Sequence, residues 1–337
     1  MGNMLSTTTG VKEDTRYLDL LKVVLTVGIV FRHASLVDVP AEYGLFNAIS
    51  KGIVLLTELC VPLFFVISGY LFFLNVPERP DVKWFGNKLW KRVFSLLIPY
   101  LIANVLAFLF YWLAMHYTPS LVSGFFGDNW KNPIYVFWTG PINLSLWFIR
   151  DLIIICVLSP LIWLLIRYCR WWGVLALGLL WLFGFQKPWT NFYFTLGAGL
   201  AILHVDVARR CKDFGPYLLL AMIGSAAAYW NGKIGLELFL LTGLPVGVWL
   251  AISAMQSSRW KIDPSWRAWC FFIYLYHYIP VIGCKKAFVQ FLHPANDGVY
   301  LATYFASALL VLTVLTGLYF AMKKIVPKLT SILVGGK

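Results

Sequence analysis

Ten stretches of roughly 20 predominantly apolar residues succeed one another along this chain, near 17–37, 48–74, 92–116, 144–167, 171–187, 190–206, 214–231, 234–255, 267–289 and 299–324. That length of helix crosses the ~30 Å hydrocarbon core of a bilayer. Hydrophobic residues make up 60% of the chain and charged residues only 13%, so there is too little polar side chain to coat a water-soluble surface. The expected architecture is all-α: a polytopic bundle of about ten transmembrane helices. Residues 1–337 would form a single integral-membrane domain, with a short N-terminal segment (1–16) and a tail (325–337). The polar N-terminus and the lack of a small-residue cleavage site predict a retained signal-anchor helix.

The net charge of +13 does not point to nucleic acid, because the basic residues sit at the ends of apolar runs and form no continuous stripe. Their placement alternates instead. Eighteen of them, from Lys12 and Arg16 through Arg79, Lys83, Lys88, Lys91 and Arg92 to Lys323, Lys324 and Lys328, fall on one side of the predicted spans. Six (Lys51, Lys131, Lys187, Lys233, Lys285 and Lys286) fall on the other. The positive-inside rule then puts both termini in the cytoplasm. Cys60, Cys156, Cys169, Cys211, Cys270 and Cys284 form no CxxC pair, so neither a disulfide framework nor a metal site is expected. The outer connection near 117–143, with SGFFGDNWKNP, reads as an ordered loop or lid, and QKPWT between the fifth and sixth runs leaves room for a re-entrant pair.

Ionisable groups inside such runs are costly and mark candidate functional positions. In DLLKVVLTVGIVFRHAS, Lys22 and His33 are 11 residues apart, so they share a helix face about 16 Å apart along the axis. Asp19 lies one turn from Lys22 and suits an interfacial ion pair, whereas Arg32 is placed to snorkel outward. In LTELCVPLFFVISGYLFF, Pro62 removes the N–H that the Glu58 carbonyl would accept, so a carboxylate and a freed carbonyl coincide. Arg150 enters from the outside to a depth comparable with His33, and adjacent Asp151 is an awkward partner because neighbouring helical residues diverge by ~100°. His277, among Tyr274, Tyr276 and Tyr278, fits a packed core histidine. Lys88, Lys91 and Arg92 share one face at the cytoplasmic mouth of the third run and suit either topology or phosphate binding.

Six segments taken in order resemble the bacterial acyltransferase 3 family of integral-membrane O-acyltransferases: YLDLLKVVLTVGIVFRHAS, VPLFFVISGYLF, KLWKRVFSLLIPYLI, LWFIRDLIIICVLSPLI, FTLGAGLAI and FFIYLYH. The family's first helix carries an arginine and, after ten intervening residues, a histidine. Lys22 stands at the arginine position and His33 at the histidine position. Lysine keeps the charge but loses the planar fork of donors.

The resemblance implies transfer of an acyl group, usually acetyl, from cytoplasmic acyl-CoA to a hydroxyl of an extracytoplasmic glycan or glycolipid. It places the protein in the bacterial inner membrane, surrounded by membrane lipid, and is compatible with a homodimer. His33 would be the catalytic base, aided by Lys22, by Arg150 at the oxyanion or acceptor and by Glu58 orienting the imidazole or binding acceptor hydroxyls. Lys88, Lys91, Arg92 and Ser68 would receive the CoA moiety, with no metal involved. A polysaccharide or small-solute transporter is the rival reading, and a non-catalytic family member another. Neither rival would consume acyl-CoA.

Overall fold

The computed structural model describes residues 16–117, 132, 135–184, 188–257, 263 and 265–336. The described residues form helices and connecting turns, with no strand among them. The helices are α1 (Arg16–Ala34), α2 (Gly44–Thr57), α3 (Cys60–Phe73), α4 (Val82–Arg92), α5 (Ile98–Tyr117), α6 (Trp147–Val157), α7 (Ser159–Cys169) and α8 (Trp171–Gly184). They continue with α9 (Pro188–Ile202), α10 (Val207–Trp230), α11 (Leu236–Ser257), α12 (Trp266–Tyr276), α13 (Tyr278–Leu292), α14 (Asp297–Ile325) and α15 (Pro327–Leu333). Asp81, Asp206 and Asn296 cap α4, α10 and α14, each side chain accepting from a first-turn N–H.

Among the described residues, four helical stretches are long and apolar enough to cross a membrane: Gly44–Phe73, Val82–Tyr117, Leu236–Gln256 and Asp297–Ile325. The α6–α7 pair makes a fifth if its two halves form one span, bent by 60°. The sequence predicts this run as one continuous span. Pro160 supplies no N–H to the Cys156 carbonyl, and the bend falls beside it, at Leu158. Pro62 similarly follows the break between α2 and α3, and Pro280 follows the α12–α13 junction at His277. The backbone stays helical through that last junction, because His277 N–H donates to Ile273 O (3.0 Å) and Val281 N–H to His277 O (3.0 Å). α1 is not among the four stretches, since Asp19, Lys22 and Arg32 interrupt it. The expected lid near 117–143 lies largely outside the described residues, as does most of the QKPWT connection.

α1 is the hub of the bundle, packing against α2, α3, α11, α12, α13 and α14. Its buried face includes Leu18, Leu21, Leu25, Ile29 and Val30, joined by fully buried Phe65, Phe72, Phe73, Tyr304 and Ile273 of its neighbours. Beside the hub, α3 and α9 approach backbone to backbone. A Cβ at Gly69 would overlap the Phe194 carbonyl, and one at Gly197 would overlap the Val66 carbonyl. Small residues at such crossings let membrane helices come into van der Waals contact. Gly69→Ala and Gly197→Ala are each expected to force the helices apart and cost about 1–3 kcal/mol, read as a lower melting temperature in detergent. An unchanged melting temperature would contradict this contact.

Candidate active site

At one end of α1 the Asp19 carboxylate is shared. Lys22 Nζ lies 3.2 Å from Oδ1, as the one-turn spacing predicts. Arg267, at the start of α12, adds a two-pronged contact, its Nε donating at 3.0 and 2.9 Å and a terminal nitrogen at 2.7 Å. Asp19 is almost fully buried and Arg267 half exposed, so the cluster sits at a mouth rather than in the core.

Behind this cluster lies a cavity of about 270 Å³. Lys22, Arg92 and Arg267 give it a cationic rim, Ser68 lies on its α3 wall, and Phe64, Phe148 and Tyr274 are among its apolar lining. The sequence-predicted residues Lys22, Ser68 and Arg92 are therefore brought together. Lys88 stands just outside, its ammonium donating to Phe72 O (3.1 Å) and lying 5.0 Å from the Trp84 ring centroid. Arg92 packs over the other ring of that corner, Phe72, at 5.5 Å. Lys91 is exposed.

Tyr274 leads from the cavity toward the other end of α1. Its hydroxyl donates to Ser145 O, and Asn143 donates to Leu275 O (2.8 Å), so the turn at Asn143–Leu146 clamps the end of α12. His277 follows, its ring centroid 6.1 Å from that of Tyr274 and 5.3 Å from that of His33. His33 also meets the Tyr278 ring edge-on at 5.0 Å. The cavity stops at Tyr274, and fully buried His277 stands next along the line toward half-buried His33. Tyr304 donates to Phe31 O (3.1 Å), and Lys285 donates to His33 O (3.2 Å) and Ser35 O (2.9 Å). These contacts hold the last turn of α1, whose terminal carbonyls have no partner within the helix.

Two expected partners of His33 are engaged elsewhere. Glu58 binds Arg32 at 2.5 Å, so Arg32 does not snorkel freely and the carboxylate faces a guanidinium, not the imidazole. Arg150 turns back on its neighbour. Its Nε donates to Asp151 Oδ1 (2.8 Å), and one terminal nitrogen donates to the carbonyls of Trp138 and Thr139 (both 2.9 Å). The other terminal nitrogen lies 2.8 Å from the same carboxylate oxygen. The long arginine side chain spans the angular offset that made Asp151 look awkward, and little of the fork is left for a substrate. The cations beside His33 are instead Arg32, its neighbour in the chain, and Lys285, which donates to its carbonyl. Lys285 reads in the sequence as a topology signal. Arg267 reads the same way, and His277 as core.

Residues 15–322 match the sequence profile described as the acyltransferase domain, close to the whole chain. The chain belongs to the acyltransferase 3 family. Among characterised proteins, this acyltransferase 3 member is similar to the succinoglycan biosynthesis protein ExoH of Rhizobium meliloti (strain 1021), with 23% identity over 354 residues. That alignment covers 95% of this chain and 92% of ExoH. No solved structure matches it significantly. Family membership and the apolar helices together make it a membrane acyltransferase, and they give the transporter reading no support.

Proposed function

We propose that this protein moves an acyl group, acetyl in the first instance, from cytoplasmic acyl-CoA to a hydroxyl of an extracytoplasmic glycan or glycolipid. The bundle would cross the bacterial inner membrane ten times with both termini inside, as the alternating charges favour. The observation that carries the reading is the cavity between Lys22, Arg92 and Arg267: a cationic rim around an apolar shaft that ends one residue contact short of the histidine pair. CoA has that polarity, with phosphates at one end and a slender thioester arm at the other. The similarity to a succinoglycan biosynthesis protein supports a polysaccharide acceptor.

In this mechanism Arg92, Lys22 and Arg267, with Lys88 and Lys91 alongside, attract the phosphates. The arm extends past Ser68 toward Tyr274, whose side chain must yield for the thioester to reach His33. His33 takes the proton from the acceptor hydroxyl as its oxygen attacks the thioester carbon. Charge develops on the carbonyl oxygen, and Lys285 and Arg32 are the cations beside His33 at that end of α1. The carbon–sulfur bond then breaks, the thiolate recovers the proton from the imidazolium, and the products are an O-acyl ester and free CoA thiol.

Purified protein incubated with radiolabelled acetyl-CoA and membrane glycans should transfer base-labile label to sugar and release CoA thiol in equal amount. Arg92→Ala should raise KM for the donor about tenfold, the loss of one charge-assisted contact, with kcat within a factor of about 2. Label-free glycan and no thiol release would refute the reading.

A further inference from the structure

His277 is fully buried, yet it is only half satisfied. Its Nδ1 sits 3.0 Å from Ile273 O and 2.9 Å from Tyr274 O. Two carbonyl oxygens can only accept, so Nδ1 carries the hydrogen and Nε2 of the neutral ring is a bare acceptor. Nε2 has no hydrogen-bond partner among the described residues. A buried acceptor left unpaired is destabilising, and one at a fixed tautomer asks for an explanation. The ring cannot turn to relieve it, because Nδ1 is tied to its own helix and the Asn143–Leu146 turn clamps that helix end.

His33 is the nearest ring to it, at 5.3 Å between centroids. Two imidazoles joined by one N–H···N hydrogen bond stand roughly 5 Å apart by the same measure, so a small rotation of the half-buried His33 ring closes the contact. No side chain among the described residues hydrogen-bonds the His33 ring, which leaves its tautomer otherwise unassigned.

We propose that His277 is the positioning residue for His33, its Nε2 accepting the N–H of the His33 ring. That bond would fix which His33 nitrogen keeps its lone pair toward the acceptor hydroxyl, and it would steady the imidazolium formed when the proton is taken. It gives the unpaired Nε2 its partner in the working state. The inference rests on His33 being the base, as proposed above, and gives His277 no part in the bonds made and broken.

Two isosteric substitutions separate positioning from packing. His277→Asn keeps an amide N–H where Nδ1 bonds the carbonyls but removes the acceptor at the Nε2 position. His277→Gln carries an acceptor oxygen out to that position. The expected result is a kcat in His277→Asn lower by about 10–100-fold, taking as the guide the loss seen when the orienting partner of a metal-ligating imidazole is removed. KM for acetyl-CoA should stay within about twofold, and His277→Gln should recover most of kcat. Wild-type kcat in His277→Asn would overturn the proposal. So would equal kcat losses in both variants that follow their losses of melting temperature, which would mark His277 as packing alone. Full transfer by His33→Ala would instead remove the base assignment beneath it, a failure readable independently of either His277 variant.

Discussion

His33→Ala is expected to lower kcat for acyl transfer by about 10²–10⁴-fold, the usual contribution of a positioned general base, while the protein remains folded and binds acyl-CoA as before. The structure separates these effects. The His33 side chain contributes ring contacts with His277 and Tyr278, whereas the bonds holding the end of α1 run to its backbone carbonyl and those of Phe31 and Ser35, which alanine preserves. The cationic rim at Lys22, Arg92 and Arg267 lies toward the other end of α1, so KM for the donor should not move. Transfer rates paired with thermal unfolding in detergent check both halves. A folded variant with unchanged kcat would remove His33 from the chemistry.

Asp19→Ala is expected to cost the fold about 3 kcal/mol, the lower end of the loss when one member of a buried ion pair is removed. The lower end applies because Arg267 is half exposed and its charge can be rehydrated. Without the carboxylate, Lys22 and Arg267 oppose each other at the cavity rim, and α1 loses its two-pronged tie to α12. Asp19→Asn should behave similarly, since the amide carries no charge. Adding Arg267→Gln to Asp19→Asn should recover part of the loss by removing one of the opposed cations. Thermal unfolding of the three variants reads the effect, and a melting temperature unchanged in Asp19→Ala would show that the cluster contributes nothing to the fold.

The sequence makes local relationships legible and leaves the long-range ones hidden. Helical spacing alone brings Lys22 to Asp19, and Pro62 falls beside the break between α2 and α3, whereas the 60° bend beside Pro160 divides a run that reads as one continuous span. The all-helical architecture follows from the apolar runs. Arg267 reaches Asp19 across 248 positions of chain, and His277 meets His33 only because α12 and α13 pack on α1. No periodicity encodes which helices become neighbours, so both residues read as ordinary topology or core. Arg150 shows a different limit: depth in the membrane says nothing of rotamer, and the side chain folds back on Asp151. One signal was available for His277. It is an ionisable side chain inside an apolar run, three residues before Pro280, and such groups within membrane segments mark candidate functional positions.

The central claim is that His33 serves a donor arriving from one membrane face and an acceptor from the other. Sealed vesicles test it most directly, with the protein oriented so that its Arg92 face lines the lumen, radiolabelled acetyl-CoA trapped inside and glycan supplied only outside. Label should appear on the external glycan as base-labile ester, and His33→Ala vesicles should leave it unlabelled. Transfer that occurs only when donor and glycan share one compartment, or that persists undiminished in His33→Ala, would contradict it.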